Sequence, residues 1–176
     1  MPSPESPSLD ALWDSIAPGR ECFSFEHIAA LPALAQRYLV HSIAPGTHLA
    51  RAVRLKMHGQ IKLNTWLPFT AEQIISAEHG FLWKATVQAG ILPISGFDQL
   101  LDGQGGMEWK VFGLIPIVRA WSADTTRSAI GRFHGESIWL PSLLLTPTTL
   151  WHELSDDHLA LCLNSFGEST PLTFQL

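Results

Sequence analysis

Val53-Arg54-Leu55-Lys56-Met57-His58-Gly59-Gln60-Ile61-Lys62-Leu63 alternates without a break. The odd positions are apolar or Gly, and the even positions are all polar. Successive side chains of a strand point to opposite faces, so this stretch predicts a strand with one apolar face and one cationic, wetted face. It is about twice the usual 5–6 residues of a strand. Such a strand requires a sheet around it and something to cover its apolar side.

The same alternation recurs along the chain. Phe81, Trp83, Ala85, Val87 and Ala89 share one face of a second strand, and Met107, Trp109 and Val111 one face of another. Leu159, Leu161 and Leu163 repeat the pattern, as do Leu172, Phe174 and Leu176 at the end of the chain. Between these, Trp66-Leu67-Pro68-Phe69 reads as an apolar turn, Gln73 to Ser76 as a short strand and Ile94 to Leu101 as a third strand. Asp102-Gly103-Gln104-Gly105-Gly106 reads as a hairpin turn, because Gly supplies the positive φ that such turns need. Helical spacing appears twice. Leu31, Leu34, Tyr38 and Leu39 form a stripe that starts at Pro32 and stops at Pro45-Gly46, and Asp124 caps a segment from Thr125 to about Leu140. Turns this short favour antiparallel pairing. The expected fold is α+β, a curved antiparallel β-sheet, half-barrel-like, with helices covering one face.

Composition bounds the rest. The chain has 176 residues, 46% hydrophobic and only 15% charged, which predicts a large core. Residues 1–10 are rich in Pro and Ser and are expected to form a disordered tail. Residues 11–176 show no linker or repeat and read as a single domain. Because strand patterning runs to Leu176, that domain is open to being C-terminally incomplete. Net charge is -5 and no Lys/Arg cluster exists beyond the first strand, which argues against a nucleic-acid partner. No basic start, apolar leader or membrane-length apolar run occurs, so a soluble, cytoplasmic protein is expected. Cys22 and Cys162 read as reduced, mostly buried thiols.

The most unusual local sequence is Arg127 to Leu145. On a helix, Arg132 and Glu136 are neighbours four apart, and Trp139 lies three beyond. The block R-F-x-x-E-x-x-W-x-P-x-x-L-L resembles one found in a bacterial family of unknown function. Further pieces carry the resemblance: L-P-x-L-A-Q-R-Y-L-x-H from Leu31, R-L-K-M-H-G-Q-I from Arg54, W-L-P-F-T-A-E-Q from Trp66 and F-L-W-K-A from Phe81. The resemblance covers about four fifths of the chain. The general look is similar to lipoprotein-carrier-like, lipid-binding half-barrels. The family resemblance itself implies no activity.

No catalytic motif stands out. Gly135-Glu136-Ser137-Ile138 lacks the second Gly of a nucleophile elbow, and H-E-x-x-H does not occur. Asp98 with Asp102 offers an acid pair, but Asp102 suits a turn. Asp156-Asp157-His158 reads as a hairpin tip, and His58 as an exposed strand residue. No cofactor and no metal site is expected.

The expectation is therefore non-enzymatic binding of an apolar or amphipathic, lipid-like small molecule on the concave sheet face. Arg132 and Glu136 would orient its head group, with Trp139, Trp83, Trp109 and Phe133 as wall. One alternative is a filled-core protein that acts by edge-strand association, including homo-oligomers through the C-terminal strand. A second is a hydrolase or isomerase using His134 and Glu136, with Asp98 as a further candidate.

Overall fold

The structure, a computed structural model, describes residues 8–176. In chain order it holds α1 (Leu9–Ser15), α2 (Ala33–Ser42), β1 (Ala52–Lys62), β2 (Trp66–Ser76), β3 (Gly80–Ala89), β4 (Leu92–Leu101), β5 (Gln104–Val111), β6 (Ile115–Ala120), α3 (Ala123–Gly135), β7 (Leu150–Glu153), β8 (His158–Ser165) and β9 (Glu168–Gln175). Short 3-10 turns lie at Phe25–His27, Glu136–Trp139 and Pro141–Leu145. The fold is α+β with antiparallel sheets. Most of the expected tail, residues 1–7, lies outside the described residues. Residues 8–10 are ordered, because the Ser8 hydroxyl accepts the Ala11 N–H at 3.2 Å and caps α1.

Contacts divide the chain into two compact units. One takes residues up to Ile16 with Ala52–Ile130, and the other takes Ala17–Arg51 with Gly131–Leu176. Along α3, residues 123–130 belong to the first unit and residues 131–135 to the second.

The first unit is a six-stranded meander in the order β1-β2-β3-β4-β5-β6, with every strand antiparallel to its sequence neighbour. The sheet is open and uncurled, and β1 and β6 are its unpaired edges. Here the register runs unbroken except for one irregularity at Trp109/Lys110.

Register places Val53, Ile75, Phe81 and Leu100 in one row on the apolar face. On that face Trp83 and Trp109 meet with ring centroids 5.6 Å apart. Their indole N–H groups are used by Met57 Sδ at 3.4 Å and Asp98 Oδ1 at 2.9 Å. Trp109 lies across Gly96, where a Cβ would come within 2.6 Å of the ring. The protein's own side chains thus occupy the centre of the face expected to hold a ligand.

Three local expectations need correction. Trp66 to Phe69 is the start of β2, and the chain reverses before it, with the Leu63 N–H donating to the Thr65 carbonyl. β6 has no counterpart in the sequence reading, because Ile115-Pro-Ile-Val-Arg-Ala lacks alternation and is mostly exposed. The cap of α3 is Ser122, whose hydroxyl accepts the Thr125 N–H at 3.1 Å, and the α-helix ends at Gly135 instead of Leu140.

The second unit packs α2 on the three-stranded sheet β7-β8-β9. Leu159, Leu161 and Leu163 of β8 face Leu34, Ala35 and Leu39 of α2 in one core with Phe23, Ile28, Leu144 and Trp151. Cys22 is exposed and Cys162 half-buried, and both are free thiols, so the expectation of burial fails for Cys22.

Candidate functional site

The polar face of the six-stranded sheet carries the cavity. Pairing across all six strands lines up Lys56, Glu72, Lys84, Phe97, Glu108 and Arg119 in one lateral row. The next row, toward the β5–β6 turn, is His58, Thr70, Thr86, Ser95 and Lys110. Residues of these two rows line a groove of about 740 Å³. Each strand contributes at two-residue spacing, which is how a pleated sheet gathers polar groups from distant parts of the chain onto one surface.

The charges in the first row are unequally matched. Glu108 is almost fully buried, with Lys110 Nζ at 2.6 Å and Arg119 Nε at 3.1 Å from its carboxylate. The hydrogen bond from Lys110 holds its pKa below the usual carboxylate range, with Arg119 adding to the effect against the pull of burial. Glu72 accepts from Arg54, which also reaches Asp10 at 2.8 Å. Both carboxylates therefore have guanidinium or ammonium partners other than Lys84 and Lys56. Among the described residues, neither Lys84 nor Lys56 forms an ion pair.

Lys84 stands in the third of six strands, between Glu72 and Phe97. Burial pushes its amine below the ordinary lysine range. A desolvated ammonium without a partner costs free energy that an incoming anion removes. The hydroxyls of Thr70, Thr86 and Ser95 stand beside it in the groove as donors, and Phe97 supplies an apolar wall. Electrostatically, the arrangement suits an anionic group that carries an apolar body.

The residues expected from the sequence fall elsewhere. Trp83 and Trp109 belong to the first unit and pack on each other on the apolar face. Arg132, Phe133, Glu136 and Trp139 belong to the second. There Arg132 Nε and Glu136 Oε1 form the expected pair at 2.8 Å, and Trp139 is 56% exposed. Phe133 is buried, with its ring 6.0 Å from that of Phe166.

The remaining candidates are held by local contacts. His134 is buried between two hydroxyls, Ser165 Oγ at 2.6 Å and Thr170 Oγ1 at 2.7 Å, and burial lowers its pKa. Asp98 accepts from Trp109, while Asp102 bonds His79 at 2.9 Å from a turn with φ 49. Asp157 sits in the β7–β8 turn. Hydrogen bonds from Ser155 and His158 hold its pKa to about 2.

Sequence reasoning had Lys56, His58, Lys84, Thr86, Glu108 and Lys110 on the polar sides of their strands and assigned none of them a role. It lost Thr70 and Glu72 by ending the turn at Phe69. The available signal was the alternation of Leu67, Phe69 and Ala71 with Pro68, Thr70 and Glu72.

Among the described residues no helix is long and apolar enough to cross a membrane. Neither the curated proteins nor the solved structures contain a match to this chain. Residues 21–176 match the model of a family of unknown function, so the chain belongs to the DUF6544 family.

Proposed function

We propose that the chain is a non-enzymatic binder of a small amphipathic molecule with an anionic head, held in the groove on the polar face of the six-stranded sheet. The observation that carries this reading is Lys84, a half-buried amine with no ion-pair partner among the described residues, in a groove of about 740 Å³. Typical ligand sites span about 300–1,000 Å³ and combine apolar walls with a few placed polar groups. Here Lys84 and Lys56 meet the charge, Thr70, Thr86 and Ser95 donate hydrogen bonds, and Phe97 with the lysine stems covers the apolar body.

Calorimetric titration with dodecyl phosphate and with uncharged dodecyl maltoside tests the reading. Dodecyl phosphate should bind and raise the melting temperature, and dodecyl maltoside should do neither. Lys84→Met should weaken dodecyl phosphate by about tenfold or more, the worth of one charge-assisted contact. Equal response to both amphiphiles, or unchanged affinity in Lys84→Met, would sink it.

A further inference from the structure

In a six-stranded antiparallel meander the turns alternate between the two ends of the sheet. One end carries the β2–β3 turn, Ala77-Glu78-His79, and the β4–β5 turn, Asp102-Gly103, where His79 and Asp102 bond at 2.9 Å. These are polar turns of the ordinary kind. The opposite end carries the β1–β2, β3–β4 and β5–β6 turns, and each of these presents exposed bulky apolar side chains. Each enters its returning strand through two bulky apolar residues and a proline: Trp66-Leu67-Pro68, Ile91-Leu92-Pro93 and Leu114-Ile115-Pro116. Trp66 is 62% exposed, Ile91 91% and Leu114 80%.

Backbone conformation sharpens the contrast. Phe112 and Gly113 have φ 52 and 69, the pair of positive values that a tight hairpin turn fills most readily with Asn-Gly or Asp-Gly. Asp102-Gly103 meets that preference at the polar end, with φ 49 and 80. Phe166 takes the same strained position before Gly167 and repays it by packing against Phe133. Phe112 is 54% exposed, so its aromatic ring sits on a left-handed backbone with its surface still in water.

We propose that this end of the sheet docks on an anionic membrane surface, with the three turns inserting their apolar tips among the lipid head groups. Charge supports that occupant. The segments 62–66, 88–93 and 111–116 contain no acidic residue, and their single charge is Lys62, whose Nζ lies 5.9 Å over the Trp66 ring. Exposed Trp, Phe, Leu and Ile beside Lys is the composition of segments that lie in a bilayer interface. Shape supports it too. The turns are separated by two strand spacings, about 10 Å, and stand as prongs. A fluid lipid surface receives separate prongs without needing a matching groove. Pairing with a second copy along β6 is disfavoured by Pro116, which removes a backbone donor from that edge.

The test is co-sedimentation of the full chain with vesicles of phosphatidylcholine, and with vesicles of equal parts phosphatidylcholine and phosphatidylglycerol. The wild type should sediment with both and more strongly with the anionic ones, the excess fading as salt is raised. The double variant Ile91→Glu/Leu114→Glu should lose about tenfold or more in vesicle affinity while keeping its melting temperature, since both sites are exposed. Lys62→Glu should erase only the preference for anionic vesicles. Leu150→Glu, at an exposed apolar site on β7, should bind as the wild type does. Absence of vesicle binding by the wild type, equal binding by the double variant, or equal loss in Leu150→Glu overturns the proposal. So does light scattering that shows a dimer which the double variant dissolves, because the occupant is then a second copy.

Discussion

The carboxylate of Glu153, on β7, accepts the backbone N–H of Leu34 at 2.6 Å, so a strand caps the first turn of α2 from 119 residues away. The helix needs this help. Pro32 stands at its N-cap with no side-chain acceptor, and a negative group near a helix N-terminus is favoured by the helix dipole. Glu153→Ala should cost about 1 kcal/mol, the usual worth of a cap. A urea melt of the variant should show the midpoint falling with an unchanged slope.

Lys84 gives a prediction with a definite sign. Its folded pKa lies below its unfolded value, so between the two the unfolded chain holds more protons and stability rises with pH. Lys84→Met should therefore be more stable than the wild type at neutral pH, by about 2–4 °C for roughly 1 kcal/mol. The gap should close as pH rises toward the ordinary lysine value of about 10.4. Thermal melts of both proteins across that range check it. A constant gap means the amine is not desolvated.

At Gly96 the tested quantity is space. A Cβ there would meet the Glu108 carbonyl at 2.4 Å and the Trp109 ring at 2.6 Å. Gly96→Ala should push Trp109 off its seat against Trp83 and cost about 1–3 kcal/mol, as overpacking does. Near-ultraviolet circular dichroism should report the loss of the coupled indole signal alongside the stability change.

His134 should make the second unit acid-sensitive. Burial depresses its folded pKa, so the unfolded chain takes up a proton first as pH falls below about 6.5, and stability declines from there. His134→Gln keeps a polar group between Ser165 and Thr170 but does not titrate. Its urea midpoint should change less than that of the wild type between about pH 7 and pH 5.

Much of the sheet was readable because period-two alternation survives in β1, β3, β5, β8 and β9. It failed where burial on both faces or exposure on both faces erased the contrast. Gln73, Ile74, Ile75 and Ser76 are all buried, and β6 is exposed at nearly every position. The site was less legible for a different reason. Lys56, Glu72, Lys84 and Glu108 become neighbours only through pairing register, which depends on where each turn falls. Moving the start of β2 from Gln73 to Trp66 is enough to restore two of the residues beside Lys84. The Arg132 and Glu136 pair was readable because a helix brings residues four apart together without any long-range information.

The division of the chain also sets an order of assembly. The meander is inserted whole between the two segments of the other unit, and each of its strands finds its partner in the neighbouring hairpin. Its contacts close short loops, whereas the other unit must bring Ala17–Arg51 to Gly131–Leu176 across the whole insertion. Local closure is kinetically favoured over distant closure. The expected sequence is that β1 to β6 gain amide protection first in pulse-labelled hydrogen exchange, ahead of α2 and β8. On the ribosome, a nearly finished sheet would then wait for the last strands of the chain to emerge.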